Sequence, residues 1–254
     1  DARPDVIYAE SVGSCADLIA TVARPLLAQP HLGMVCTSLS VFADVRLLLH
    51  RLQGDPLPFS DEVTYILDRQ LDEAGVLVLN KADLLDGARL ATLKHLAQAR
   101  VPGRPILLQD SRSAASVGAW VALIEAGGAP VPGLAEPISY DRYDEGVGRL
   151  AWVERVLFAS ISGDARSPLE TLVDTLVAVL AQAGIAIAHL KLLARSASGS
   201  HRISVTAADE GDWARELPPM DGPLTVILNA RLQCSGQQAA EAIDLGIARA
   251  GKHS

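Results

Sequence analysis

The chain has 254 residues, enough for one large domain or two ordinary ones. Its residues are 49% apolar and 20% charged, a balance that excludes a disordered chain. The net charge of −8 counts against a nucleic acid or an anionic membrane as the main partner. Residues 5–11 (DVIYAES) are a short apolar run predicted as a strand, ending on Glu10 and the loop VGSC. A helix is predicted over 16–28, where Leu18, Ile19, Val22, Leu26 and Leu27 give an apolar stripe. A strand over 33–42 and a helix over 43–52 follow. Ser60, with Asp61 and Glu62 behind it, opens a helix that runs to Ala74 and stops at Gly75.

A strand over 76–79, a helix over 88–99, a strand over 106–108 and a helix over 114–126 complete the pattern. Strands alternating with helices of this length imply βαβ units and a parallel sheet covered on both faces. The strands are apolar without alternation, as buried parallel strands are. Four of them, starting near residues 5, 33, 76 and 106, would form one sheet.

Residues 127–137 (GGAPVPGLAEP) hold three Pro and three Gly and read as a linker. They place one domain over 1–130 and a second over 138–254. The second opens with a strand over 150–162 and continues into a helix with Ser167 at its cap, Pro168 in its first turn and Gly184 at its end. Strands over 185–194, 202–207 and 224–232 and a helix over 237–250 make this a small α+β domain. The apolar run 175–188 is broken by Gln182 and Gly184 and is too short to span a bilayer. Cys15, Cys36 and Cys234 have no close pair and suggest reduced thiols, hence a cytoplasmic location.

Two segments carry chemistry. In VLVLNKADLLDG (76–87) an apolar strand runs into Asn80, Lys81, Ala82 and Asp83. The two oxygens of such an aspartate can accept from the N1 and N2 hydrogens of guanine, whereas adenine offers no matching donors. The asparagine bonds to the base and neighbouring loops, and the lysine stem packs along the base plane. In AESVG (9–13) Glu10 ends a predicted strand and Gly13 follows three residues later. A nucleoside triphosphatase places an acid for a magnesium-bound water and a backbone N–H for the γ-phosphate at such a position. A glycine there lets the backbone approach an anion closely. Read blandly, each segment is a strand end followed by a turn. Ser111, in the loop after the strand at 106–108, is either a base contact or a helix cap.

DVIYAESVGSCADLIATVARP (5–25) and YILDRQLDEAGVLVLNKADLL (65–85), with Gln70 a turn before its strand, together resemble the CobW-like GTPases. This class is related to the GTPases that mature nickel hydrogenase and urease. The resemblance implies part of the parallel sheet of a P-loop nucleoside triphosphatase, helices on both faces, and a small C-terminal α+β domain. It implies a GTP-hydrolysing metallochaperone that couples GTP, with Mg²⁺, to metal delivery or to maturation of a metalloenzyme or cobalamin-pathway protein. Zinc or cobalt would be cargo, and a metal-requiring client protein the partner, with a homo-oligomer left open. Glu10 would be the catalytic acid, and Gly13, Asn80, Lys81 and Asp83 would bind nucleotide.

The Gly-x4-Gly-Lys-Ser/Thr phosphate loop of that class is missing. The nearest match, GIARAGKH (246–253), has His253 in place of the hydroxyl and lies in a predicted helix, where Gly251 reads as the stop and Lys252 as a dipole partner. In the family the loop precedes the Glu-x-x-Gly strand by on the order of a hundred residues, several βα units. The expectation is an N-terminally truncated GTPase that is inactive alone. The alternative is a degenerate, non-catalytic interaction module. The family's Cys-x-Cys-Cys metal segment is likewise missing, and Cys15, His189 and His201 lack ligands at metal-binding spacing, so no resident metal site is expected.

Overall fold

Val76–Asn80 (β2) carries four apolar residues in a row, and all four are buried. A strand can bury both of its faces only when it lies in the middle of a sheet covered on each side. β2 has parallel neighbours on both flanks, Ser40–Asp44 (β1) and Ile106–Gln109 (β3), in the order β1-β2-β3. The computed structural model describes residues 6–29, 38–127, 137–161, 163–208, 211, 217–220 and 222–251. They form two compact units, one of residues 1–57 and 61–144, the other of 58–60 and 145–254.

In the first unit, the short helix Arg24–Leu27 (α1) follows a π-helical turn at Ile19–Ala23. Val45–Gln53 (α2), Asp61–Glu73 (α3) and Gly87–Arg100 (α4) pack Leu48, Leu71 and Leu93 against Leu77 and Leu79 on one face of the sheet. Ala114–Glu125 (α5) covers the other face, with Trp120 and Leu123 over Val76 and Val78. Tyr140–Gly148 (α6) is a further helix that the sequence pattern does not announce.

The expected strand at 5–11 does not form. Residues 6–10 are irregular, with Val6, Ile7 and Tyr8 more than half exposed. Tyr8 sets its ring 5.8 Å from that of Trp120. Among the described residues the parallel sheet therefore has three strands rather than four, because apolar character alone supplies no pairing partner for backbone groups. Residues 33–37 of the strand expected at 33–42 lie outside the described residues.

The second unit is one antiparallel sheet, order β4-β7-β5-β6, made of Leu150–Ala159 (β4), Ala186–Ser196 (β5), Gly199–Val205 (β6) and Leu224–Gln233 (β7). Arg166–Gln182 (α7) and Gly236–Ala250 (α8) contribute Leu169, Leu176, Leu180 and Ile243 to a core with the inward residues of the strands. Ser167 is not the cap of α7. Ala165 occupies that position without a side-chain bond, while Asp164 Oδ1 accepts from the Arg166 N–H at 3.1 Å. Gly184 ends the helix as expected, at φ 65°, a conformation that costs a glycine nothing. α8 has a full capping box, Ser235 and Gln238 each bonding the other's backbone N–H. Gly251 closes it, and Lys252 and His253 lie outside the described residues.

Among the described residues no helix is long and apolar enough to cross a membrane.

Candidate functional site

The carboxyl ends of the three parallel strands meet at one rim, where ligands of open α/β sheets bind. β2 delivers Asn80 and then Lys81, whose backbone is left-handed at φ 59°, before a 3-10 turn at Ala82–Leu84 that contains Asp83. β1 delivers Asp44 and β3 delivers Gln109, followed by Ser111 and Arg112.

Five polar links run among these ends and the loops that follow them. Lys81 Nζ lies 3.1 Å from Asp44 Oδ2. Ser111 Oγ donates to Asn80 Oδ1 at 2.7 Å and accepts from Gln109 Nε2 at 2.9 Å. Arg112 Nη2 donates to Asp83 Oδ2 at 2.7 Å, while its Nε donates to Asp110 Oδ1 at 3.1 Å. The guanidinium of Arg112 holds the Asp110 carboxyl below the usual range. Burial pushes the Asp44 carboxyl up, but the Arg46 bonds and the nearby Lys81 charge together outweigh it, leaving Asp44 below its ordinary value. Gln109 is 2% exposed, and its Oε1 has no hydrogen-bond partner among the described residues.

Of the residues singled out from sequence, Asn80, Lys81 and Asp83 therefore share one rim. Ser111 joins them and is not a helix cap; Ser113 caps α5 by accepting from the Ser116 N–H. Arg112, Asp44 and Gln109 went unread. Asp44 carried a signal, an acid between an apolar strand and a helix, and it does cap α2.

Glu10 and Gly13 take no part in these links. Glu10 is exposed in the irregular segment, and Gly13 sits in a turn with nothing within 4 Å of where a Cβ would stand. That turn is held by its neighbours. Gln70 Nε2 donates to the carbonyls of Gly13 at 2.9 Å and Cys15 at 2.8 Å. The Tyr143 hydroxyl donates to the Ser14 carbonyl, and the Tyr140 hydroxyl to Asp17 Oδ2. Asp17 is buried in a left-handed conformation at φ 64°, strain on the order of 1 kcal/mol that these bonds maintain. Glu73 Oε1 accepts from the Ile19 N–H at 3.0 Å, placing a carboxylate at the positive end of the turn that leads into α1.

Glu73 is 2% exposed. Its burial pushes the carboxyl up, against the weaker pull of the Ile19, Leu18 and Asp17 N–H groups. A folded-state value above the unfolded one means that its contribution is complete below the ordinary glutamate range and is lost as pH rises through the raised value. Stability of the wild type relative to Glu73→Gln should therefore fall with rising pH across that window. Urea midpoints of both proteins from about pH 4 to pH 8 check this, and parallel pH profiles would refute it.

Among the described residues no three His, Cys, Asp or Glu side chains come together as a metal site, and Glu10 belongs to no such group. His189 lies on the sheet of the second unit, 3.1 Å from Asn229 Oδ1 and edge-on to Trp152.

No family model and no curated protein match the chain. Among solved structures, it is similar to the Zn(II)-bound YjiA GTPase from E. coli at 12% identity and a TM-score of 0.30, over 89% of this chain and 66% of that one. A Zn(II)-bound triple mutant of the same GTPase gives the same figures. The chain thus spans 66% of the length of those structures, just under two thirds. A likeness of that size establishes no kinship. The class defined by the chain's own geometry is a mixed α/β protein: a three-stranded parallel sheet flanked by helices, with a separate antiparallel sheet.

Proposed function

We propose that the first unit is the base-reading part of a GTP-binding protein of the CobW-like kind, with Asp83 selecting guanine and Asn80 and Lys81 shaping the pocket. The single observation behind this reading is the rim itself. An Asn-Lys-x-Asp loop follows the central strand of a parallel sheet, cross-linked through Asn80 to the loop after β3 and through Lys81 to the end of β1. A solvated turn needs no such anchoring on both sides. In this reading Gly13 offers its backbone to a γ-phosphate and Glu10 serves a magnesium-bound water. The whole protein uses GTP to deliver a metal such as zinc or cobalt to a client in the cytoplasm.

Arg112 also fits. Its Nη2 donates to Asp83 Oδ2 at 2.7 Å, so in this reading Arg112 stands in for one of the two N–H donors that guanine would present. The pair is solvent-exposed and worth about 0–1 kcal/mol, a plug that guanine can displace.

A second reading, a non-catalytic interaction module, is favoured by two observations. The chain holds no Gly-x4-Gly-Lys-Ser/Thr segment, and Glu10 is exposed away from any strand.

Titration of the full chain with guanosine and adenosine, followed by NMR, tests both the pocket and the plug. Guanosine should bind in preference to adenosine, and GTP should gain little over guanosine without a phosphate loop. Asp83→Asn should cost about 1–3 kcal/mol of guanosine binding, because one acceptor becomes a mismatched donor. Arg112→Ala should raise guanosine affinity by up to about fivefold. Equal binding of both nucleosides by the wild type and Arg112→Ala would show that 80–83 is only a turn.

A further inference from the structure

Among the described residues, the helices that pack on the antiparallel sheet of the second unit, α7 and α8, lie on one face of it. Inward residues alternate along β7 as Leu224, Val226, Leu228, Ala230 and Leu232, so the residues between them point to the opposite face. A register shift between Ile187 and His189 brings β5 into the same phase. On that outer face Val156, Ile227 and Leu193 lie side by side across three strands, because Val156 pairs with Ile227 and Ile227 with Leu193. Val156 is 55% exposed, Ile227 37%, and Phe158, one row further along β4, 81%.

Charge on this face is one-sided. Beside the apolar row lie Lys191, Arg195 and Arg202, all exposed and with no carboxylate paired to any of them among the described residues. Glu154 is the acid on the same face, and Asn229 donates to it at 2.8 Å. A chain of net charge −8 thus presents a basic, apolar face.

The dimensions narrow the occupant. Four strands about 4.8 Å apart and four outward rows about 6.7 Å apart make a face of roughly 14 by 20 Å. One helix, about 10 Å across, matches it. A second copy meeting face to face would set these cations against their own equivalents. Single-stranded RNA wants flat rings at the centre of such a sheet. Here the centre is aliphatic, and the Trp152 ring already meets His189 and Arg231.

We propose that this face docks one amphipathic helix of an acidic partner protein, with its apolar stripe over Val156, Ile227 and Leu193 and its carboxylates against Arg195 and Arg202. This is the helix-in-groove mode applied to an open sheet, and it does not depend on GTP binding by the first unit.

The test pans a random 16-residue displayed-peptide library on the full chain. Synthetic versions of the enriched peptides are then titrated by fluorescence anisotropy against the wild type, Phe158→Ser and the double variant Arg195→Glu/Arg202→Glu. All three positions are exposed, and circular dichroism melts confirm that each variant folds. The expected peptides carry Leu or Phe at helical spacing flanked by Asp or Glu. They bind each variant at least tenfold more weakly, and exchanging their acids for Lys restores binding to the double variant alone. Peptides without acidic residues, or peptides that do not distinguish the variants from the wild type, overturn the proposal. So does a 12-nucleotide single-stranded RNA that binds this face more tightly than any selected peptide.

Discussion

Asp44→Ala is expected to destabilise the first unit by about 3–5 kcal/mol, the cost of removing one partner from a buried ion pair. Asp44 and Arg46 are each 9% exposed in their side chains. Asp44 Oδ1 accepts from Arg46 Nε at 3.2 Å and from the Arg46 N–H at 2.9 Å, and Oδ2 accepts from Arg46 Nη2 at 3.0 Å. Alanine removes the Asp44 carboxylate from beside a buried guanidinium and takes away the cap of α2, itself worth about 1 kcal/mol. It also removes the contact between Lys81 and the end of β1 just before the turn at Ala82–Leu84. Asp44→Asn keeps the cap and should lose less. Urea unfolding gives the energies, and faster amide exchange at residues 81–84 reports the loop. The sign with pH is opposite to that of Glu73. Asp44 has a lowered folded-state value, so its contribution is present above the unfolded carboxylate range and is lost as pH falls through the lowered value. The gap between wild type and Asp44→Ala should therefore close in acid, and a gap that stays constant would refute the assignment.

Most elements can be read from the sequence because their signals are local. The run VLVL of β2 states that both faces are buried, and the sheet has no other place for such a strand. The run VIYAE looks much the same but folds differently. Apolar character says that residues prefer burial, while a strand also needs a neighbour for its N–H and C=O groups, and that neighbour is a non-local fact. α6 escapes notice for the reverse reason. YDRYDEGVG has two glycines and no apolar stripe, yet its Tyr140 and Tyr143 stand at helical spacing and bond to residues 14–17.

The candidate site shows the same division. Asn80, Lys81 and Asp83 are contiguous and follow a strand, so a motif finds them. Their partners Asp44, Ser111 and Arg112 come from other strand ends, distant in sequence on either side, and nothing in a tetrapeptide reveals them. Ser111 and Ser113 are nearly equal candidates for the α5 cap on paper. What separates them is backbone geometry, since Ser113 is extended at φ −88° and ψ 116° and faces the Ser116 N–H.

In the second unit the largest effect is expected where α7 meets α8. A Cβ built on Gly246 would stand 2.7 Å from Leu176 Cδ2 and 3.3 Å from Leu176 Cα, so the two helices meet at a point that admits no side chain. Gly246→Ala should cost about 1–3 kcal/mol, because the new methyl group must displace a packed leucine and crowd its backbone. Leu176 is fully buried, and Leu176→Ala should cost about 2–5 kcal/mol through lost transfer energy and the cavity left behind. The two changes touch the same space and should not add. In the double mutant the methyl group introduced at position 246 enters the volume vacated by the leucine tip, so the Cδ2 clash disappears and part of the cavity fills. The contact with the backbone at position 176 persists, which keeps the rescue incomplete. The double mutant should therefore lose less than the sum of the single losses by about 0.5–3 kcal/mol, the range seen for residues in contact. Urea midpoints of the wild type, the two single mutants and the double mutant form the cycle. Strict additivity would mean that α7 and α8 do not touch through this pair.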